Sequence, residues 1–294
     1  MRIIAVINQK GGTGKTTTAI NLAAGLARHL AERPAGSPVA AAVLLMDLDP
    51  QGHATSGLGL EVASDQETMY HVMTQPRKAL ADSIVSTAWT GLDVAPSHIR
   101  LAVGAEQIYA RPFRETILAK ALQTLAERRY AYIIMDCPPT LGVLTVNALC
   151  ACDWIIVPCQ MSPYSLDGLA DLFDSVETVK GIRPELNHGD TSEGNSRGLR
   201  LLLTMYDKRN SVTNEAILAK LAPYQSLLLR TVIRRNEALN QAQMARQPIQ
   251  EFDPKSPGAH DYQDLTAELL ALWGNHHPEE TVALSDGSKR ATTA

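Results

Sequence analysis

The sequence predicts an α/β protein: a doubly wound, mostly parallel sheet with helices on both faces. Two patterns predict it. Short apolar runs recur with helical stretches between them, and several of those runs are apolar on consecutive residues rather than alternating. Unbroken apolar character is what a strand needs when helices cover both faces of its sheet. Strand–helix alternation of this kind favours parallel pairing. Strands are expected over 3–7, 43–46, 92–95, 132–135, 154–157, 199–204 and 227–233. Helices are expected over 15–31, 115–128, 141–151, 165–180, 212–221, 237–246 and 259–272. The proline- and glycine-bearing stretch 33–38 and the polar stretch 188–197 read as surface loops.

The chain has 294 residues, 45% hydrophobic and 20% charged, which suits a globular protein with a sizeable core. One domain is expected over 1–274, followed by a polar, disordered tail over 275–294. No apolar run is long enough to span a bilayer, and no signal-peptide pattern opens the chain, so a cytoplasmic location is expected. The net charge of −4 excludes a polycation that coats nucleic acid through its whole surface. The four cysteines, Cys137, Cys150, Cys152 and Cys159, match no zinc-knuckle or redox spacing and read as buried thiols.

The strongest local signal is Asn8-Gln9-Lys10-Gly11-Gly12-Thr13-Gly14-Lys15-Thr16-Thr17-Thr18, set between an expected strand and an expected helix. In that context glycines let backbone N–H groups curl around phosphates, and the helix N-terminus adds its positive end. Lys15 is expected to reach the outer phosphates of a nucleotide, and Thr16 to bind Mg²⁺. The pattern is deviant, because Gln9 stands where the first glycine belongs and Lys10 is an extra lysine. Like-charge repulsion opposes two inward lysines in so tight a loop. Lys10 is therefore either solvated or crosses a dimer interface to the partner's nucleotide, as an arginine finger does.

Two carboxylates sit at the ends of apolar runs, where ligands bind in open α/β sheets. Tyr132-Ile133-Ile134-Met135-Asp136 has the Walker B form, so Asp136 is expected to hold Mg²⁺ directly or through water. Asp49, just before Pro50-Gln51-Gly52, is expected to orient the attacking water and to belong to the metal site with Thr16 and Asp136. The plainer reading of either residue is a cap or turn.

Together these residues resemble the ParA/MinD family of deviant-Walker ATPases, in its ParA (Soj-like) branch. The resemblance runs from Arg2 to Trp273. It is carried by the loop at residues 8–17, Asp47-Leu48-Asp49-Pro50-Gln51-Gly52, Asp136-Cys137-Pro138-Pro139, Met205-Tyr206-Asp207, and Phe252-Asp253-Pro254-Lys255-Ser256 with Gly258-Ala259. It implies ATP and Mg²⁺ as cofactors, slow ATP hydrolysis, and a homodimer formed on ATP binding with Lys10 contacting the partner's nucleotide. It also implies phosphate contacts from Lys10 through Thr17 (Gly11, Gly12, Thr13, Gly14, Lys15 and Thr16 included). Met205, Asp207 and Pro248 would enclose the base. The ATP dimer of such proteins binds DNA non-specifically on the nucleoid, and a ParB-like partner stimulates hydrolysis and releases it.

Departures from the family pattern are local. Relatives that repress an operator carry a helix-turn-helix domain ahead of the first strand, and no such function is expected here. Where many relatives read Pro-Arg-Asn-Val-Arg-Leu, this chain has Arg234-Arg235-Asn236-Glu237-Ala238-Leu239. Lys208, Arg209, Arg230, Arg234, Arg235 and Arg246 are the candidate DNA contacts, and solvated surface arginines are the plainer reading. Three rival functions share the loop. The same engine could position another cargo, such as a carboxysome or chemotaxis cluster. A MinD-like membrane ATPase would need a basic amphipathic tail, and residues 275–294 are acidic with scattered apolar positions. An iron–sulfur carrier would need cysteines that bridge two chains, for which Cys150 and Cys152 are the only close pair.

Overall fold

The computed structural model describes residues 1–33, 42–125, 130–162, 168–180 and 198–274. Eight strands form one sheet: β1 (Arg2–Val6), β2 (Ala42–Asp47), β3 (Val85–Ser86), β4 (Leu92–Ala95), β5 (Tyr130–Asp136), β6 (Trp154–Gln160), β7 (Leu199–Tyr206) and β8 (Leu228–Arg234). Their order is β3-β4-β2-β5-β1-β6-β7-β8, and every pairing is parallel except that of the short edge strand β3 with β4. The doubly wound, mostly parallel sheet expected from the sequence is therefore present.

The helices are α1 (Lys15–Ala31), α2 (His53–Gly57), α3 (Met69–Thr74), α4 (Arg100–Tyr109), α5 (Ile117–Leu122), α6 (Val143–Ala151), α7 (Leu169–Lys180), α8 (Ser211–Leu221), α9 (Glu237–Met244), α10 (Ile249–Phe252) and α11 (Pro257–Gly274). They divide the core in two. On β1, Ile3 and Ala5 face one apolar cluster while Ile4 and Val6 face the other, so each side chain alternates between buried layers. That is the physical reason the strand reads as an unbroken apolar run.

Helix α1 packs through Ala19, Leu22, Ala23, Leu26 and Leu30, all at or below 4% exposure, in the layer that also holds Tyr262, Leu265, Leu269 and Trp273 of α11. The spacing of three and four residues on both helices gives each a single buried stripe. Gly25 gives the two helices room to pack: a Cβ there would sit against the Thr266 hydroxyl.

Boundaries differ from expectation in instructive ways. The helix expected over 115–128 is a 3₁₀ turn at Arg114–Thr116 followed by the single short helix α5. Helices α2, α3, α4 and α10 and strand β3 were not expected from the sequence. The expected loops at 34–38 and 188–197, the start of the helix expected at 165, and the tail at 275–294 lie outside the described residues. Among the described residues, no helix is long and apolar enough to cross a membrane.

Candidate nucleotide site

The turn between β1 and α1 stands at the carboxyl edge of the sheet's central strand, flanked by β5 and β6. Gly12 and Gly14 have φ of 74° and 88°, values that side-chain-bearing residues adopt at a cost, so the loop needs glycine at both. The loop is braced from below. Asn8 donates to the Pro158 carbonyl of β6 (2.7 Å) and accepts from the Lys10 amide (2.9 Å), and Thr204 of β7 donates to the Thr13 carbonyl (2.9 Å). Helix α1 has no side-chain cap and no acidic residue in its first turn, which leaves its N–H groups to an external anion.

Lys15 is 6% exposed, and its Nζ donates to the Lys10 carbonyl (3.0 Å). Burial lowers its pKa, and the nearby Asp136 and Asp49 oppose that shift. The expected group of Lys15, Thr16, Asp49 and Asp136 is therefore brought together at one edge of the sheet. Lys10 is half-buried in the same loop.

Asp136 ends β5 and is fully buried. Neither of its carboxylate oxygens completes a hydrogen bond. Burial, then the neighbouring Asp47, push its pKa well above the carboxylate range; the Thr16 hydroxyl and Lys15 offset this only in part. A buried carboxylate with unmet oxygens is a costly arrangement for the protein alone, and a hard cation relieves it. The donor set is all oxygen, and among the described residues no three His, Cys, Asp or Glu side chains cluster as a metal cage. Both features fit Mg²⁺, which takes one or two protein ligands and completes its shell with phosphates and water. Thr16 and Asp136 are the groups that would hold it, with Asp49 beside them, and bound Mg²⁺ would neutralise charge on the phosphates.

Sequence reading assigned no role to Asp47, although Asp47 and Asp136 are direct register neighbours on β2 and β5. Its oxygens accept from the Asp49 amide (3.2 Å), the Thr55 amide (2.8 Å) and the Thr55 hydroxyl (2.7 Å). Thr55 in turn accepts from the Ser97 amide (3.0 Å), so the turn that carries Asp49 is pinned to the ends of β2 and β4. The signal was available in the sequence as the alternating carboxylates of Asp47-Leu48-Asp49.

Burial pushes the Asp47 carboxyl up to about 6, and its Thr55 hydrogen bonds work against that rise. In the folded chain the proton is held up to that pH, whereas the unfolded chain releases it near 3.8. Ligand-free stability should therefore fall as pH rises through this window. Asp136 continues the fall at higher pH. Thermal unfolding of ligand-free protein between about pH 4 and 7 checks this, and a midpoint that rises with pH would contradict it.

Beside the loop a cleft of about 330 Å³ opens between α1, the end of β7 and α9, lined by Gly14, Thr17, Met205, Asp207, Arg235 and Gln243 among others. Met205 has a φ of 54°, an unusual conformation for a side-chain-bearing residue and one that re-aims the chain at the strand end. Met205 and Asp207, expected to enclose the base, both line this cleft. Pro248 does not line the cleft. It is buried at the start of α10, whose Ile249 amide donates to Asn21 of α1 (2.7 Å).

The six basic candidates do not form one patch. Arg234 is committed to Asp261 of α11, with nitrogen–oxygen distances of 2.6 and 2.9 Å, and also lines the cleft. Arg209 pairs with Asp207 (2.6 Å), which holds that carboxyl down at about 2, and Arg246 pairs with Glu61 (3.1 Å). Arg230 and Arg234 are four residues apart on β8, roughly 13 Å. Lys208, Arg209 and Arg235 remain exposed near the mouth of the cleft, where β7 and β8 end. Lys208 and Arg235 are in none of these ion pairs.

Over 270 residues the chain is 40% identical to the sporulation initiation inhibitor protein Soj of Bacillus subtilis, covering 92% of this chain and 98% of that one. It belongs to the ParA/Soj family of ATPases. The chromosome-partitioning ATPase Soj of Thermus thermophilus is 37% identical over 92% of this chain and 96% of its own. A family profile for the AAA domain matches residues 1–188. Among solved structures, cobyrinic acid a,c-diamide synthase of Mycobacterium smegmatis with bound ATP analog and magnesium superposes with a TM-score of 0.74. It is 30% identical, over 93% of this chain and 96% of that one. All four cysteines are buried. Burial raises the Cys159 thiol to about 12, as expected of a structural thiol.

Proposed function

We propose that this chain is an ATP-gated partitioning switch that binds DNA non-specifically while ATP is bound and lets go after hydrolysis. ATP and Mg²⁺ are the cofactors that the loop, the unmet Asp136 carboxylate and the cleft accommodate together. The reading rests on that convergence at the edge of the central strand, where Lys15, the α1 N-terminus, Thr16, Asp136 and Asp49 lie together and supply what a phosphate and a metal need. Asp49 orients the attacking water. Lys10 reaches across to the partner's nucleotide in an ATP-dependent homodimer, and a ParB-like protein accelerates hydrolysis. Residues 1–274 act as one unit, and the protein works in the cytoplasm on the nucleoid.

Among the six basic candidates Lys208 and Arg235 lead, because Arg234, Arg209 and Arg246 each pair with a carboxylate in the ligand-free chain. A local cluster of this size gives weak, salt-sensitive contact in one chain, and two chains in a dimer double it.

Gel retardation of a non-specific duplex, with ATP, with ADP and without nucleotide, tests the reading across a salt series. Binding is expected with ATP only. Arg235→Ala should weaken it roughly uniformly across DNA sequences and flatten the salt dependence by about one phosphate contact per chain. Retention that is equal with all three nucleotide states removes the gating.

A further inference from the structure

The cleft brings together two residues that neither the loop motif nor the basic cluster explains. Gln243, near the end of α9, reaches back to the first turn of α1, where its Nε2 donates to the Thr17 hydroxyl oxygen. These two residues are 226 apart in sequence, and both line the cleft beside Gly14. Thr17 is the loop's penultimate hydroxyl, one residue beyond Thr16. Because Gln243 donates, the Thr17 oxygen is occupied as an acceptor while its own proton stays available. A hydroxyl polarised in this way is a better donor to an anion, since hydrogen bonds in a chain strengthen one another.

The same helix leads to the opposite side of the cleft. Helix α9 begins at Asn236, whose Oδ1 caps it by accepting from the Ala238 amide (2.9 Å), and Arg235 immediately precedes that cap. After α9 the chain is fixed by a buried clamp. Asn21 of α1 donates to the Thr17 carbonyl (2.8 Å) and accepts from the Ile249 amide (2.7 Å), and its carbonyl accepts from Gln250 (2.9 Å). Asn21 is 4% exposed and fully engaged, so it serves as a fixed pivot. Gln243 is exposed, and its bond to Thr17 is the one that solvent can replace.

We propose that Gln243 is a positioning residue that couples the occupied phosphate loop to the orientation of α9 and hence to Arg235. A phosphate oxygen accepting the Thr17 proton strengthens the Gln243–Thr17 bond, and the strengthened bond holds α9 against α1. An empty loop leaves that bond in competition with water and α9 free to rock about the Asn21 pivot. This rests on the phosphate-binding reading of the loop and deepens it, but it does not depend on DNA being the track.

Amide hydrogen exchange on the full chain, with and without saturating ATP–Mg²⁺, separates the two. In wild type, nucleotide is expected to slow exchange at both the first turn of α1 and the amides of α9, the latter by about tenfold. In Gln243→Ala the α1 protection should persist and the α9 protection should disappear. Gln241→Ala, on the same helix but without the contact, should behave as wild type. Gln243→Glu keeps a group of the same size but accepts from Thr17 instead of donating, so ATP affinity should fall below that of Gln243→Ala by about tenfold. Equal α9 protection in wild type and Gln243→Ala overturns the proposal, as does an α9 that nucleotide never protects. A Gln243→Ala chain that no longer binds ATP also overturns it, since Gln243 would then be a direct binding residue. None of these readouts contains DNA, so a failure of DNA binding leaves them decisive, and loss of α1 protection in wild type marks failure of the phosphate reading itself.

Discussion

Lys15→Gln is expected to lower ATP affinity by about 10²–10³-fold, as removing one partner of a desolvated charge pair does. The Lys15 ammonium is nearly buried beneath the loop, where it donates to the Lys10 carbonyl (3.0 Å) and is favoured in its charged form by Asp136 and Asp49. Bound phosphates would give that cation a strong counter-ion in a site already shielded from water. Gln keeps a polar donor in the loop while losing the charge. It also removes a charge that restrains the rise of the Asp136 carboxyl, so Mg²⁺ affinity should fall with ATP affinity. Calorimetric titration with ATP, in the presence and absence of Mg²⁺, measures both. Unchanged affinity would mean that the phosphates bind elsewhere.

Asp49→Ala is expected to act on turnover instead. Hydrolysis should drop by about 10²-fold or more, the usual contribution of a group that positions or deprotonates the nucleophile, while ATP affinity changes little. The Asp49 carboxylate accepts from the Gln51 amide (2.9 Å), so Ala also releases the turn. Asp49→Asn retains that acceptor, and an equal loss of turnover in both variants assigns the effect to the charge rather than to the turn. A stalled enzyme should hold its ATP dimer on DNA, so dissociation after nucleotide dilution should slow in step with hydrolysis. Lys10→Ala is expected to do the reverse, binding ATP in one chain but failing to form the dimer. Light scattering in a non-hydrolysable analogue distinguishes them. Wild-type turnover in Asp49→Ala would remove that residue from the chemistry.

Much of this site was legible before any coordinates because its chemistry depends on local spacing. Glycine at 12 and 14, lysine at 15 and threonine at 16 must occupy consecutive positions to wrap a phosphate, and the strand and helix around them are set by unbroken apolar and three-four periodic runs. Asp136 was legible because it ends such a run. What escaped was set by tertiary contact. The helix α4 shows only Leu101, Gly104 and Ile108 buried, and Gly104 hides in the sequence because its value is closeness: a Cβ there would meet Thr74 at 2.9 Å. Pro248, expected near the base from the family resemblance, is buried at the head of α10, a placement that its position along the chain does not announce. Asp261, Glu61 and Asp207 lie 27, 185 and 2 residues from the arginines they neutralise, and for the first two nothing along the chain announces the pairing. The Thr17–Gln243 bond is of the same kind.

The most direct test of the gating claim is the affinity of the unmodified protein for a labelled, non-specific duplex, followed by fluorescence anisotropy in a non-hydrolysable ATP analogue with Mg²⁺ and then in ADP with Mg²⁺. The account predicts binding that is at least about tenfold tighter in the analogue and that weakens steeply with salt. Equal affinity in the two nucleotides would contradict it, because a ligand that does not distinguish two states cannot switch between them.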